Sequence, residues 1–373
     1  MSSLFSPFDL SSPRGPLTLS NRVVVAPMCQ YSAQNGCASD WHLMHWANLL
    51  NSGSAMMIIE ATAVSPEGRI TPQCLGLWDD ASARALEDKL HRARNLAPSV
   101  PVAIQLSHAG RKASSAVPWE GGALLGLNEG GWKTLAPSAI PHQAHERTPQ
   151  ALDKAGMDQI LEDFVKAAKR AQSMGIDAVE LHAAHGYLLH QFLSPIANQR
   201  SDAYGGSFDN RVRYVLEVFK AVRSAFTGPL GMRISAHDWV EGGWTPEETA
   251  QLSALLKALG ADFVHISSGG VSSAQKVQVA PNYQVGFAQQ VKAHSGLSTI
   301  AVGLITEAEQ ANEIISSGQA DLVALARALL YHPRWTWQAA ARLNAQVNAS
   351  KPYWRCLPKE AQHIFTSAMN VQR

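Results

Sequence analysis

The sequence predicts an α/β fold of the (β/α)8 barrel type, with an N-terminal hairpin and a capping insertion after the third strand. Three observations carry that reading. Short apolar, β-branched runs recur between longer segments of helical pattern, and eight of them can be counted. Most are continuous rather than alternating, as parallel strands covered on both faces require. The first run ends in "APMCQYS" (26–32) with no G-x-G-x-x-G turn, whereas a doubly wound sheet, the rival architecture, usually carries a glycine-rich turn there.

The runs are residues 23–28, 55–64, 101–110, 178–185, 230–236, 262–270, 299–305 and 322–330. Helices fill the intervals. In "AGMDQILEDFVKAAKRAQSMG", Ile160, Phe164, Ala167 and Ala171 share one face and Gly175 marks the stop. "TPEETAQLSALLKALG" opens with Thr245 as N-cap, Pro246 at the first helical position and Glu248 three residues after the cap, and closes at Gly260. "TEAEQANEIISSG" follows the same plan from Thr306 to Gly318.

Residues 111–153, rich in Gly, Pro, Ser and His, are too long for a simple connection and predict a cap over the barrel mouth. The first 20 residues, with "SPRGPLTLS", predict a hairpin closing the other end. The expected organisation is one domain over 1–373, with a C-terminal tail from residue 345.

The chain has 373 residues, of which 46% are hydrophobic and 16% charged, a balance suited to a large buried core. A net charge of +1 supplies no basic field for nucleic acid or anionic membrane, so a small-molecule partner is expected. Cys29, Cys37, Cys74 and Cys356 form no C-x-x-C pair, against zinc-ribbon and iron–sulfur spacings. "MSSLFSPFDL" lacks a basic n-region, and "AMMIIEATAV", interrupted by Glu60, is too short to cross a bilayer. A cytoplasmic protein is the expectation.

Barrel chemistry collects at the C-terminal strand ends. There the sequence places Cys29 with Tyr31, then Glu60 with Ala61, Gln105 with His108, His182 with His185, Arg233, Gly303 and Arg327. Loops after the seventh and eighth strands of such barrels often hold phosphate, and Gly303 and Arg327 suit one. An arginine in "GMRIS", across the mouth, marks a second place for negative charge. A phosphorylated cofactor with an electron-accepting ring would use both.

Each residue also has a plainer reading. His182 and His185 fit core packing, a substrate or a metal; a metal needs a third ligand, for which only Glu60 and His108 are near in the pattern. Cys29 suits a small buried apolar side chain, Gln105 a buried amide, and the two arginines suit acids such as Asp321. Arg200, Asp202 and Arg211 read as loop braces. His108, Arg111 and Lys112 suit either the cap's framework or the phosphates of a dinucleotide.

"APMCQYS", "EATAVSPEGR", "IQLSHAGRKA", "ELHAAHGYLLHQFLSPIANQRSDAYGGSFDNRVRY", "MRIS", "ISSGG", "VGLIT" and "ARALL" occur in this order over nearly the whole chain. Together they resemble the Old Yellow Enzyme family of FMN-dependent ene reductases, nearest the branch of bacterial xenobiotic reductases and NADPH dehydrogenases. The resemblance implies FMN across the barrel mouth. Ala26, Pro27 and Met28 would line it with main chain, and Cys29 would lie near its N5 and O4 edge. Ala61 and Gln105 would contact the ring, with Arg233 near N1 and O2. Gly303, Ala326 and Arg327 would hold the phosphate; the family reads Gly-Arg where this chain has Ala326–Arg327.

By the same resemblance, His182 and His185 hydrogen-bond the oxygen of an electron-poor alkene, Tyr31 adds a donor, and Tyr187 gives the proton to the α-carbon. NADPH reduces the flavin first, in a ping-pong cycle. "PYWRC" (352–356) matches a stretch that enters a neighbouring subunit's site, so Trp354 and Arg355 are expected in a substrate pocket shared within a homodimer or higher oligomer. The rivals are a metal-dependent barrel hydrolase built on His182 and His185, a larger dienoyl-CoA reductase with an iron–sulfur cluster, and a non-catalytic barrel.

Overall fold

The computed structural model describes residues 2–365; the last eight residues of the predicted tail and Met1 lie outside them. Strands β1 (Phe8–Leu10) and β2 (Leu17–Leu19) form an antiparallel hairpin. The barrel begins with β3 (Val23–Val25), β4 (Met56–Ala63) and β5 (Val102–Ser107). Two short strands of the cap, β6 (Leu135–Ala136) and β7 (Gln150–Ala151), pair with each other outside it. The barrel continues with β8 (Ala178–Ala183), β9 (Leu230–Ser235), β10 (Phe263–Ser267), β11 (Ser298–Ala301) and β12 (Leu322–Leu325). These eight barrel strands close on themselves in sequence order, every neighbouring pair parallel.

Two apolar layers hold the barrel. Outward-facing residues such as Val25, Met57, Ile104 and Val179 pack under the helices with Leu49, Leu86, Phe164 and Val218. Inside, Val24, Met56, Ile58, Ala103, Phe263 and Ile300 pack against Leu10 and Leu19 of the hairpin, which plugs the N-terminal end. The alternation follows from strand geometry, in which successive side chains point to opposite faces.

The helix Lys154–Ser173 buries Ile160, Phe164, Ala167 and Ala171, and Gly175 follows it at φ +71°. The helix Pro246–Ala258 carries the predicted capping box between Thr245 and Glu248. The next-but-one helix, Ala308–Ser316, starts one residue later than predicted. Its cap is Glu307, because the Gln310 side chain accepts from both the Thr306 and Glu307 N–H groups.

Each barrel strand is shorter than its apolar run. The run 322–330 is not one strand: the ladder ends at Leu325, Ala326 turns the chain at φ −107°, ψ −92°, and Arg327–Tyr331 is a helix. The Ala326 carbonyl accepts the N–H groups of Leu329 and Leu330, so it can no longer serve a ladder. The C-terminal overhangs of the other runs are loops at the mouth, where side chains leave the sheet. Residues 111–153 lie between β5 and the helix Lys154–Ser173 and are pinned by side chains to main chain. Arg147 donates to the carbonyls of Leu125 and Trp132, and Arg111 to those of Ile140, Pro141 and Val271. Among the described residues no helix is long and apolar enough to cross a membrane.

Candidate active site

The first strand hands over to the mouth at Ala26, whose N–H still donates to the Leu325 carbonyl at 3.0 Å. Beyond Pro27 and Met28 the loop is held from below by Glu60, which accepts the Gln30 N–H at 2.9 Å. Glu60 reaches it because β4 bulges there. Ile59 pairs with Ile104 and Ala61 with Gln105, so Glu60 is the extra residue and Ala61 regains the register. Burial raises the Glu60 carboxyl to about 8. Burial, then Cys74 and Glu60, push the Cys29 thiol well above the usual range, so the sulfur keeps its proton. Tyr31 sits at φ +48° and meets Trp119 of the cap edge-on, ring centroids 5.9 Å apart.

Strand β8 delivers the histidine pair. His182 and His185 lie edge to face at 5.1 Å, and the Tyr187 ring stands against His182 at 4.8 Å. The Ala184 N–H donates to Nδ1 of His182, which leaves the His182 proton on Nε2. His185 Nε2 lies 2.8 Å from Ser267 Oγ, a hydroxyl able to donate or accept, so Ser267 sets which nitrogen of His185 carries the proton. Burial, and then the nearby Arg233 cation, hold both imidazoles well below the ordinary histidine range. Both are therefore neutral at neutral pH, and their remaining nitrogens, His182 Nε2 and His185 Nδ1, lie 3.4 Å apart. Burial, with Cys29 and Tyr31 adding to it, raises the Tyr187 phenol well above its usual value, which keeps its proton available.

A tight crossing holds this loop. His185 adopts φ +57° and Gly186 φ +76°. A Cβ on Gly186 would stand 2.1 Å from the Gly270 carbonyl oxygen, and one on Gly270 would stand 2.6 Å from the His185 main chain. Lys112 clamps the same crossing, its Nζ donating to the carbonyls of His185 (2.9 Å) and Gly270 (3.0 Å). Below it, the Gly186 N–H donates to His190 Nδ1, and His190 Nε2 lies 2.8 Å from the Asp238 carboxylate.

Arg233 of β9 stands beside His182 in register. It is only 9% exposed, yet its Nε has no hydrogen-bond partner among the described residues. It borders a cavity of about 210 Å³ lined also by Ala26, Ser267, Gly303, Ala326 and Arg327. Gly303 takes φ +118° there, and a Cβ would press on Gln284 at 3.1 Å. Ala326 keeps a negative φ, so alanine carries no left-handed strain at this place. Asp321 pairs with Lys292 at 2.9 Å, not with Arg327. Ala61 and Gln105 are nearly fully buried on β4 and β5.

Trp354 and Arg355 are not brought to this mouth within the chain. Trp354 donates to the Ala349 carbonyl and packs on a satellite cluster around Trp337 and Ile364, while Arg355 is exposed. Arg200 and Arg211 are braces: Arg200 binds Asp202 and the carbonyls of Pro137 and Leu152, and Arg211 binds Glu248 and the Leu193 carbonyl. Among the described residues no three His, Cys, Asp or Glu side chains converge on a metal-sized site. Sequence reasoning missed Ser267, Glu180, His265 and His190. "ISSGG" and the polar residues inside the apolar runs "AVELHAAH" and "DFVHISSGG" were the available signal.

Residues 3–346 match the model of the NADH:flavin oxidoreductase / NADH oxidase family. An NADPH dehydrogenase of Geobacillus sp. (strain WCH70) is 40% identical over 359 residues, covering 94% of this chain and 98% of that one. An NADH:flavin oxidoreductase of Gibberella zeae is 42% identical over 364 residues, covering 92% of this chain and 86% of that one. Among solved structures, morphinone reductase superposes with a TM-score of 0.76 at 27% identity, covering 94% of this chain and 92% of that one. With the closed parallel barrel and the polar set at its mouth, these likenesses make the chain an oxidoreductase of the NADH:flavin oxidoreductase / NADH oxidase family, the group that includes the Old Yellow Enzymes.

Proposed function

We propose that this protein is an FMN-dependent NADPH oxidoreductase that reduces activated C=C bonds of α,β-unsaturated carbonyls and related electrophiles, among them quinones, maleimides and nitro compounds. The observation that carries the reading is the convergence of two neutral imidazoles and a protonated phenol beside Arg233, a buried guanidinium with an unpartnered Nε.

The residues present fit FMN. Arg233 offers its free Nε to an electron-rich ring edge, and Gln105 a side-chain amide. Gly303 offers main chain without a side chain, and Ala326 with Arg327 a place for a phosphate. Ala26, Pro27, Met28, Cys29 and Ala61 supply the remaining wall. FMN held there would supply hydride-transfer chemistry, with NADPH as the donor and the β-carbon of the alkene as the acceptor, in ping-pong order.

His182 and His185 donate N–H groups to the substrate oxygen and favour the negative charge that develops on it. Tyr31 adds a third donor. Tyr187 gives its phenolic proton to the α-carbon and regains one from water. Arg233 keeps a fixed positive charge at the mouth. The bacterial relatives carrying the name NADPH dehydrogenase support the choice of donor. Arg355, exposed and away from its own mouth, is free to complete the pocket of a second copy with Trp354 in a homodimer.

An absorption spectrum of the purified protein, followed by anaerobic NADPH and then 2-cyclohexenone, tests the reading. The expected result is a yellow flavin spectrum that bleaches with NADPH and returns with the enone. A colourless protein that takes up no flavin overturns it.

A further inference from the structure

Beneath the mouth, β8 places a carboxylate inside the barrel. Glu180 is 0% exposed, in a position that barrels of this type usually fill with branched apolar side chains. Its partners come from two other strands. Gln105 stands opposite it in the β5–β8 register and donates from Nε2 to Glu180 Oε1 at 2.7 Å. His265 of β10 lies 2.8 Å from the other oxygen through Nδ1. Arg233 neighbours His265 in the β9–β10 register, but Glu180 spends its hydrogen bonds on Gln105 and His265.

The protons in this cluster can be assigned. His265 Nε2 is buried with no partner among the described residues, so a proton there would be a stranded donor and a second buried cation beside Arg233. Burial holds the His265 imidazole below its usual range, in agreement. His265 is thus neutral and donates from Nδ1, and the negative charge of Glu180 is left to balance Arg233 alone. Two consequences follow. The Gln105 amide is locked with its nitrogen toward Glu180, which turns its carbonyl oxygen the other way as an acceptor. The positive field of Arg233 is reduced by an anion in a low-dielectric interior, where screening is weak.

We infer that Glu180 is a positioning residue for the cofactor site: it fixes the orientation of the Gln105 amide and, by offsetting Arg233, lowers the reduction potential of the bound flavin. The inference rests on the FMN reading above. It differs from a packing role, because it assigns one sign of shift to two substitutions of different shape that each remove the buried anion.

The test is the midpoint potential of bound FMN, by spectroelectrochemical titration of the flavin-loaded full chain, for the wild type, Glu180→Gln and His265→Leu. Glu180→Gln removes the anion, and the potential is expected to rise. His265→Leu removes one of the two donors that keep the carboxylate ionised and leaves it as buried and singly hydrogen-bonded as Glu60. The carboxyl is then expected to take up a proton and the potential to rise here too, by no more than in Glu180→Gln. An unchanged or lowered potential in Glu180→Gln overturns the inference. If Glu180→Gln does not fold, His265→Leu decides alone, and an unchanged or lowered potential overturns it. A wild type that binds no flavin instead overturns the functional reading, and this inference with it.

Discussion

A histidine pair three residues apart suits a metal, a substrate or a packed loop equally well; among the described residues no third ligand joins this pair, so the metal reading has no support. Buried beside Arg233, both imidazoles of His182 and His185 are held neutral; the Ala184 N–H and Ser267 each take one ring nitrogen, and the other two, His182 Nε2 and His185 Nδ1, lie 3.4 Å apart at the mouth. What remains is hydrogen-bond donation. His182→Ala is expected to abolish the charge-transfer band formed with phenols while FMN stays bound, and to slow enone reduction by about 10²-fold, the usual cost of one oxyanion donor. On the proposed mechanism, Tyr187→Phe removes only the proton donor. It should slow alkene reduction by about 10² or more while flavin reduction by NADPH is nearly unchanged, as stopped-flow traces of the two half-reactions would show. Equal losses in both would refute the role.

At the scale of elements, the mouth is held by main chain meeting main chain. The loop after β8 crosses the loop after β10 at Gly186 and Gly270, with no room for a Cβ on either side. Gly270→Ala therefore has to push His185 away, against a φ of +96° that alanine disfavours. The expected cost is about 1–3 kcal/mol, read as a lowered Tm, together with loss of the phenol complex. A variant with wild-type Tm and phenol affinity would show that the crossing yields. The bulge at Glu60 does comparable work on the opposite side, turning one carboxyl under the Gln30 N–H and restoring the register at Ala61.

For the molecule as a whole, buried titratable groups dictate how stability follows pH. Burial lowers His42, His45, His108 and His142 to about 4 each. The unfolded chain takes up these protons near the ordinary histidine pKa of about 6.5, while the folded one does not. Stability from this source is complete above that value and is lost as pH falls toward 4. Glu60, raised to about 8, acts in the other direction: its contribution is complete below the unfolded glutamate pKa and is lost as pH rises through 8. Four groups outweigh one between those limits, so Tm measured from pH 7 down to pH 4.5 is expected to fall. A flat profile would contradict the buried, neutral state of these histidines.

Much of this was legible along the chain because it is local. Apolar runs and cap residues such as Thr245–Glu248 and Gly175 act within a few positions, so strand order, barrel class and the helix limits at those caps follow from the sequence. His182, His185, Gly186 and Tyr187 form one turn, and spacing alone brings them together. Tertiary structure decided the rest. The end of β12 depends on where the Ala326 carbonyl finds its donors, which the apolar run to residue 330 does not reveal. The place of Trp354 depends on a distant cluster around Trp337. Gln105, Glu180 and His265 are separated by 75 and 85 residues and meet only because barrel closure sets the strand register. A buried carboxylate looks like an error in an apolar run until its partners arrive from other strands, since its cost is met only by hydrogen bonds and charge that the closed barrel supplies.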